Sequence, residues 1–238
     1  MHSADRLIVA LDVPTREAAL SLVAAIRPKA RRFKVGLELF SACGPGLVRE
    51  ILQGGGQVFL DLKLHDIPNT AARAAVEAAR LGVGMFTLHL SGGLMMARRV
   101  VDEVEAHCQI HRDPRPQILG VTVLTSLAQE DLDALGITRS VDDQVAHLAG
   151  MARQAGLDGI VASPREVRRL REIVGAQMLI VTPGIRPAGA DHNDQVRTLT
   201  PREAIEAGSD YIVVGRPITA ARDPLEAVEN LLDEMEGR

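Results

Sequence analysis

Apolar and polar positions follow two alternating rhythms along this chain. Short runs with a period of two, or with nearly continuous apolar content, predict strands. Longer stretches with apolar residues three and four apart predict helices. Arg6–Asp12 reads as a strand and Thr15–Ile26 as an amphipathic helix behind Pro14. Arg32–Leu39 is a second strand, followed by a helix around Pro45–Leu52 that ends at Gly54-Gly55-Gly56. Gln57–Leu64 is the third strand, and Asn69–Leu81 an Ala-rich helix entered through Pro68. Gly84–Leu90 and Leu94–Ala106 continue the alternation. The second half reads strand Gln117–Leu124, helix Val141–Ala155, strand Gly159–Ala162, helix Pro164–Val174 and strand Met178–Thr182. A Gly/Pro-rich loop then leads to helix Pro201–Ala207, strand Tyr211–Val214 and a last helix from about Leu225.

Eight strand–helix units with no linker, low-complexity tract or sequence-level repeat predict one α/β domain over 1–238. The expected architecture is a single (β/α)8 TIM barrel, with its active site at the C-terminal ends of the strands. A doubly wound open sheet is the alternative. Its glycine-rich dinucleotide turn is absent after the first strand, where the chain reads Leu11-Asp12-Val13-Pro14.

At 238 residues and 46% hydrophobic content the chain can bury a core of that size. Its net charge is −4, and Phe33, Phe40, Phe59, Phe86 and Tyr211 are its aromatics. A nucleic-acid binder would show a basic stripe or stacking rings, so no nucleic-acid partner is expected, while a small anionic ligand fits. Cys43 and Cys108 stand in no metal or redox spacing. Met1-His2-Ser3-Ala4-Asp5-Arg6 leads straight into a strand, without a charged n-region and apolar run. No stretch approaches the roughly 18 apolar residues of a membrane helix, so a cytoplasmic protein is expected.

The densest chemistry lies in Asp61-Leu62-Lys63-Leu64-His65-Asp66-Ile67-Pro68-Asn69-Thr70. The strand before it alternates, placing Phe59, Asp61 and Lys63 on one face and Leu60, Leu62 and Leu64 on the other. Charges side by side on a strand are costly unless paired or used. Of the 27 basic residues only Lys29, Lys34 and Lys63 are lysines, and Lys, unlike Arg, can lend a proton near neutral pH. In a barrel, other strand ends would converge on the same mouth: Asp12, Lys34, His89, Thr125 with Ser126, Arg186, and Gly215-Arg216. Gly215-Arg216-Pro217 suits phosphate through backbone N–H groups and a guanidinium, or is an ordinary turn with a solvated Arg. The long loop from Pro183 through Gln195 is placed to close over a phosphate, with Arg186 and Gln195 as donors.

These residues resemble the signature of orotidine 5′-phosphate decarboxylases, in the bacterial subgroup of about this length. The likeness runs through Asp61-x-Lys63-x-x-Asp66-Ile67-Pro68-Asn69-Thr70, Ala10-Leu11-Asp12, Lys34-Val35-Gly36, Gly120 to Ser126, Pro183-Gly184-Ile185-Arg186-Pro187 and Gly215-Arg216-Pro217-Ile218. The resemblance implies a cofactor-free, metal-free decarboxylation of orotidine 5′-phosphate (OMP) to UMP. Lys63 is then the acid that protonates C6, Asp61 lies against the substrate carboxylate, and Lys34 and Asp66 complete an alternating charge array. It further implies a homodimer in which Asp66, Ile67 and Thr70 act across the interface. Asp12 and Lys34 would hold ribose hydroxyls and Thr125 the pyrimidine edge. Gln195, Gly215 and Arg216 would grip phosphate, aided by Arg186. Departures from the family pattern are Leu90, where a small residue is usual, and Ala190-Asp191-His192-Asn193 in the closing loop.

Other clusters read more plainly. His107 and His111 lack the carboxylates to complete a metal site. His89 is expected to be a strand-end hydrogen-bonding residue rather than a catalyst, and His65, on the turn after Lys63, to support the site's residues from behind or to be structural. Arg165, Arg168, Arg169 and Arg171 read as a solvated helix face. Two rivals to the decarboxylase are a magnesium-dependent sugar-phosphate decarboxylase or aldolase, and a silent UMP-binding barrel. The Ile-Pro-Asn-Thr run argues against the first, and the intact charge array against the second.

Overall fold

Several helix starts in this chain are fixed by side chains that accept the first free N–H groups. Thr15 Oγ1 accepts from the Ala18 amide and Ser140 Oγ from Asp143, while Thr200 and Glu203 cap each other's backbone reciprocally. Proline opens the helices at Pro68, Pro201 and Pro224, where a missing N–H costs nothing. The computed structural model describes residues 2–187 and 199–237. The strands are β1 Leu7–Ala10, β2 Arg32–Gly36, β3 Gln57–Leu64, β4 Met85–His89, β5 Gln117–Val121, β6 Gly159–Val161, β7 Leu179–Thr182 and β8 Tyr211–Val214. All neighbours pair in parallel, and β8 pairs β1, so the sheet closes into the expected (β/α)8 barrel. The helices are α1 Ser3–Arg6, α2 Arg16–Ile26, α3 Leu37–Gln53, α4 Pro68–Arg80, α5 Leu94–His111, α6 Gln129–Ala134, α7 Val141–Ala155, α8 Val167–Val174, α9 Pro201–Ala207, α10 Arg216–Thr219 and α11 Pro224–Glu236.

Several boundaries differ from the sequence reading. The second strand stops at Gly36, not Leu39, because helix α3 starts at Leu37. That helix kinks at Gly44, whose φ of 64° suits glycine, and Pro45 starts only its second half. The fifth strand stops at Val121 rather than Leu124. Helices α1 and α6 were not expected, being too short to show a period. The plain alternation of β3 also fails at its end. Leu60 pairs Phe86, but pairing resumes only at Leu64 with Leu88, so Asp61, Leu62 and Lys63 bulge opposite Thr87.

Two cores result. One fills the sleeve between sheet and helices; the other plugs the barrel with Ile8, Ala10, Phe59, Met85, Leu119, Val181, Tyr211 and Val213. At the N-terminal ends of the strands, away from the site, arginines tie elements together. Arg115 pairs with Asp158 at 2.8 Å, and Arg32 lies 5.2 Å over the Tyr211 ring. Arg171 reaches Asp210 at 2.6 Å and the carbonyls of Gly175, Met178 and Gly208. Arg171 is therefore a staple joining α8, β7 and β8, which corrects its reading as part of a solvated face.

Gly159 sits in the barrel plug, where a Cβ would lie 2.7 Å from both Leu179 Cβ and the Leu179 carbonyl oxygen. Backbone cannot yield as a flexible side chain does. Gly159→Ala is expected to destabilise by about 1–3 kcal/mol. A thermal melt should show it as a Tm lowered by about 2–4 °C for each kcal/mol lost.

Candidate active site

The strand ends bring four charges into one line at the mouth of the barrel. Residues Ala10, Lys34 and Phe59 are in register across β1, β2 and β3, and Gly36 is level with Asp61, so inward side chains of these strands stack toward the opening. Lys34 Nζ lies 3.1 Å from Asp12 Oδ1 and 3.8 Å from Asp61 Oδ2. Lys63 Nζ donates to both Asp61 oxygens at 2.9 Å. The order Asp12, Lys34, Asp61, Lys63 alternates in sign, so each inner charge has an opposite neighbour on either side. The side chains of Lys34 and Asp61 are only 14% and 13% exposed, a burial that single charges could not sustain.

A cavity of about 450 Å³ opens onto this line. Its other walls bring Thr125, Arg186, Gly215 and Arg216 together with apolar Val121, Val161 and Val213. Thr125 is half-buried, four residues past the end of β5, and Arg186 is 7% exposed. The backbone of Gly215 comes close to Asp12: a Cβ there would lie 3.4 Å from Asp12 Oδ2. Gln195 and residues 190–193 lie outside the described residues.

Asp66, Ile67 and Thr70 are not gathered into this cavity. All three are exposed; Asp66 Oδ1 accepts from the Ile67 amide at 2.7 Å and has no ion-pair partner among the described residues. The His107 and His111 rings lie tilted against each other with centroids 4.4 Å apart, and His107 Nε2 is 3.4 Å from Asp113. No group of three or more His, Cys, Asp and Glu side chains among the described residues is placed to hold a metal ion.

The sequence reading missed Thr87. This residue is fully buried on β4, and its hydroxyl bonds both Asp61 and the Lys63 backbone. The available signal was a threonine two residues before His89 in an otherwise apolar strand, but its contacts depend on the bulge opposite it. Nor was the pairing of His65 with His89 legible; their rings stack with centroids 5.5 Å apart, and His89 Nδ1 lies 2.7 Å from Ser91 Oγ.

Residues 5–231 match the model of the orotidine 5′-phosphate decarboxylase / HUMPS family. An orotidine 5′-phosphate decarboxylase from Moorella thermoacetica is 52% identical over 237 residues, covering 99% of this chain and 94% of its own length. Its counterpart from Syntrophotalea carbinolica is 51% identical, covering 97% of this chain and 94% of its own. The crystal structure of an orotidine 5′-phosphate decarboxylase from Lactobacillus acidophilus superposes with a TM-score of 0.85 at 39% identity. That match covers 96% of this chain and 98% of that one.

Burial, helped by the nearby charges of His65 and Lys63, holds the His89 imidazole below its ordinary pKa of 6.5. The unfolded chain takes up a proton at His89 near that ordinary value, and the folded chain resists it. This share of stability is therefore present above about pH 6.5 and is lost as pH falls toward the lower folded value. Melts recorded from pH 7.5 to 5 are expected to show a falling Tm, with a shallower fall in His89→Gln.

Proposed function

The chain belongs to the orotidine 5′-phosphate decarboxylase / HUMPS family, and on that premise we propose that it converts OMP to UMP and carbon dioxide in pyrimidine biosynthesis, without a cofactor, with Lys63 protonating C6. The observation that carries the mechanism is the Lys63 ammonium held 2.9 Å from both oxygens of Asp61 inside the cavity. As the bond between C6 and the carboxylate breaks, its electron pair stays on C6 and carbon dioxide leaves. Lys63 stabilises that pair electrostatically and then gives it a proton; solvent returns the proton to the amine. Asp61 faces the substrate carboxylate. Two like charges about 4 Å apart repel by roughly 4 kcal/mol at an effective dielectric of 20, a strain relieved when carbon dioxide departs.

Remote binding holds the substrate against this repulsion. Asp12 and Lys34 take ribose hydroxyls, and Thr125 takes the pyrimidine edge. Gly215, Arg216 and Arg186, with Gln195, take the phosphate. Residues 1–238 act as one barrel domain. A magnesium-dependent sugar-phosphate reaction is disfavoured because both Asp61 oxygens already accept from an ammonium, which would repel a cation.

The working unit in this reading is a cytoplasmic homodimer, with Asp66, Ile67 and Thr70 reaching the partner's site. Its support is Asp66 standing exposed beyond the array, together with apolar side chains just past β2, β3 and β4: Leu37, Ile67 and Met95 are 56%, 67% and 70% exposed. An isologous interface at this end of the barrel would cover these side chains. No helix among the described residues is long and apolar enough to cross a membrane.

Purified protein mixed with OMP is expected to discharge the substrate's ultraviolet absorbance equally with and without EDTA. No change from folded protein would overturn the decarboxylase assignment, and loss of turnover in EDTA would overturn its metal-free form. Lys63→Ala is expected to slow turnover by about a thousandfold or more, the scale of a lost acid together with lost charge stabilisation. Mixing Lys63→Ala chains with Asp66→Asn chains should restore part of the activity, since one hybrid site is then intact. Absence of rescue after demonstrated subunit exchange would sink the shared site.

A further inference from the structure

We propose that Thr87 is a positioning residue whose single hydroxyl sets both the direction of the Asp61 carboxylate and the backbone of Lys63. The inference rests on the decarboxylase reading for its kinetic consequence, and on geometry alone for its structural one. Three residues of β3, Asp61 to Lys63, face Thr87 alone across the β3–β4 ladder. Within that bulge Lys63 has φ 51°, a left-handed conformation that side chains with a Cβ rarely adopt. The other non-glycine residue of this kind among those described, Arg112, sits at the C-cap of α5, where such a φ is ordinary. Lys63 adopts it inside a strand, and such strain persists only where neighbours hold it.

Thr87 does the holding. The Lys63 amide, displaced from the ladder, donates to Thr87 Oγ1 at 2.9 Å. The same oxygen donates its hydrogen to Asp61 Oδ1 at 3.0 Å. An amide N–H only donates and an ionised carboxylate only accepts, so the hydroxyl has one orientation available. Thr87 is fully buried, so water cannot replace it. Asp61 Oδ1 is thereby held between the hydroxyl and the Lys63 ammonium, and the backbone that carries that ammonium is pinned to the same Thr87 hydroxyl. Carboxylate and acid are set as one rigid piece before substrate arrives.

The test compares Thr87→Val, which keeps the shape and removes the hydroxyl, with Thr87→Ser, which does the reverse. In Thr87→Val, kcat for OMP is expected to fall about 10- to 100-fold, the size of a lost hydrogen bond to a charged group. UMP affinity should change little, because the phosphate and ribose contacts remain, while Tm should fall by a few degrees, because the buried Lys63 amide loses its acceptor. Thr87→Ser should recover most of the lost kcat. Amide hydrogen exchange at Lys63 gives a readout independent of turnover: it should speed by about tenfold or more in the valine variant and return toward wild type in the serine variant. A valine variant with wild-type kcat and unchanged Lys63 exchange, or a serine variant as impaired as valine, would overturn the proposal. Wild-type protein without OMP turnover overturns the function instead, and the exchange comparison still decides the role of Thr87. If Thr87→Val does not fold, Thr87→Ala against Thr87→Ser makes the same comparison.

Discussion

Everything at the mouth of this barrel depends on four charges being tolerable where water is scarce. Asp12, Lys34, Asp61 and Lys63 alternate within 2.9 to 3.8 Å of their neighbours, and the two inner ones are almost buried. A buried charge that loses its partner costs several kcal/mol, so no member of the line can be removed without loading the next. The four charges of the array cancel one another. In the proposed reaction a substrate carboxylate beside Asp61 would upset that balance; carbon dioxide leaves neutral, its negative charge passes to C6, and balance returns only when Lys63 has given its proton and solvent has replaced it. On the proposed roles, binding energy gathered at phosphate and ribose would offset the repulsion.

The two ends of the barrel use basic residues differently. At the N-terminal ends of the strands, guanidinium groups fork onto several carbonyls and carboxylates at once: Arg171 bridges α8, β7 and β8, and Arg115 holds Asp158. There permanent charge and planar geometry favour arginine. At the mouth, the two positions in the line are lysine, whose ammonium can surrender a proton and fits between carboxylates as a point charge. This division explains why a chain so rich in arginine keeps lysine at Lys34 and Lys63. It separates the end that stabilises the barrel from the end that carries strain.

Much of this was legible in the sequence, because strand and helix periods are local properties. The ranges Gln57–Leu64, Val141–Ala155, Pro201–Ala207 and Tyr211–Val214 coincide with the elements found. Eight repeats of that rhythm leave few closed topologies, so Asp12, Lys34, Asp61 and Lys63 could be brought to one mouth before any distance was known. The errors lie where tertiary contacts override periodicity. Leu37 to Leu39 reads as strand by composition but is claimed by α3. Arg171 looks solvated until β7 and β8 are placed beneath it. Thr87 has no local signature, since its role arises from a bulge on the neighbouring strand. Asp66 shows the opposite case: its place in the motif is plain, and within one chain its side chain stands apart from the array.

The central claim is that Asp61 and Lys63 work as one unit on the reacting carbon rather than as two independent contacts. A double-mutant cycle measures this directly, with kcat/KM for OMP determined for Asp61→Asn, Lys63→Ala and the double variant. The expected result is strong non-additivity, the double variant being little slower than Lys63→Ala alone. Losses that simply add would contradict the account and make the 2.9 Å pair a matter of architecture rather than of catalysis.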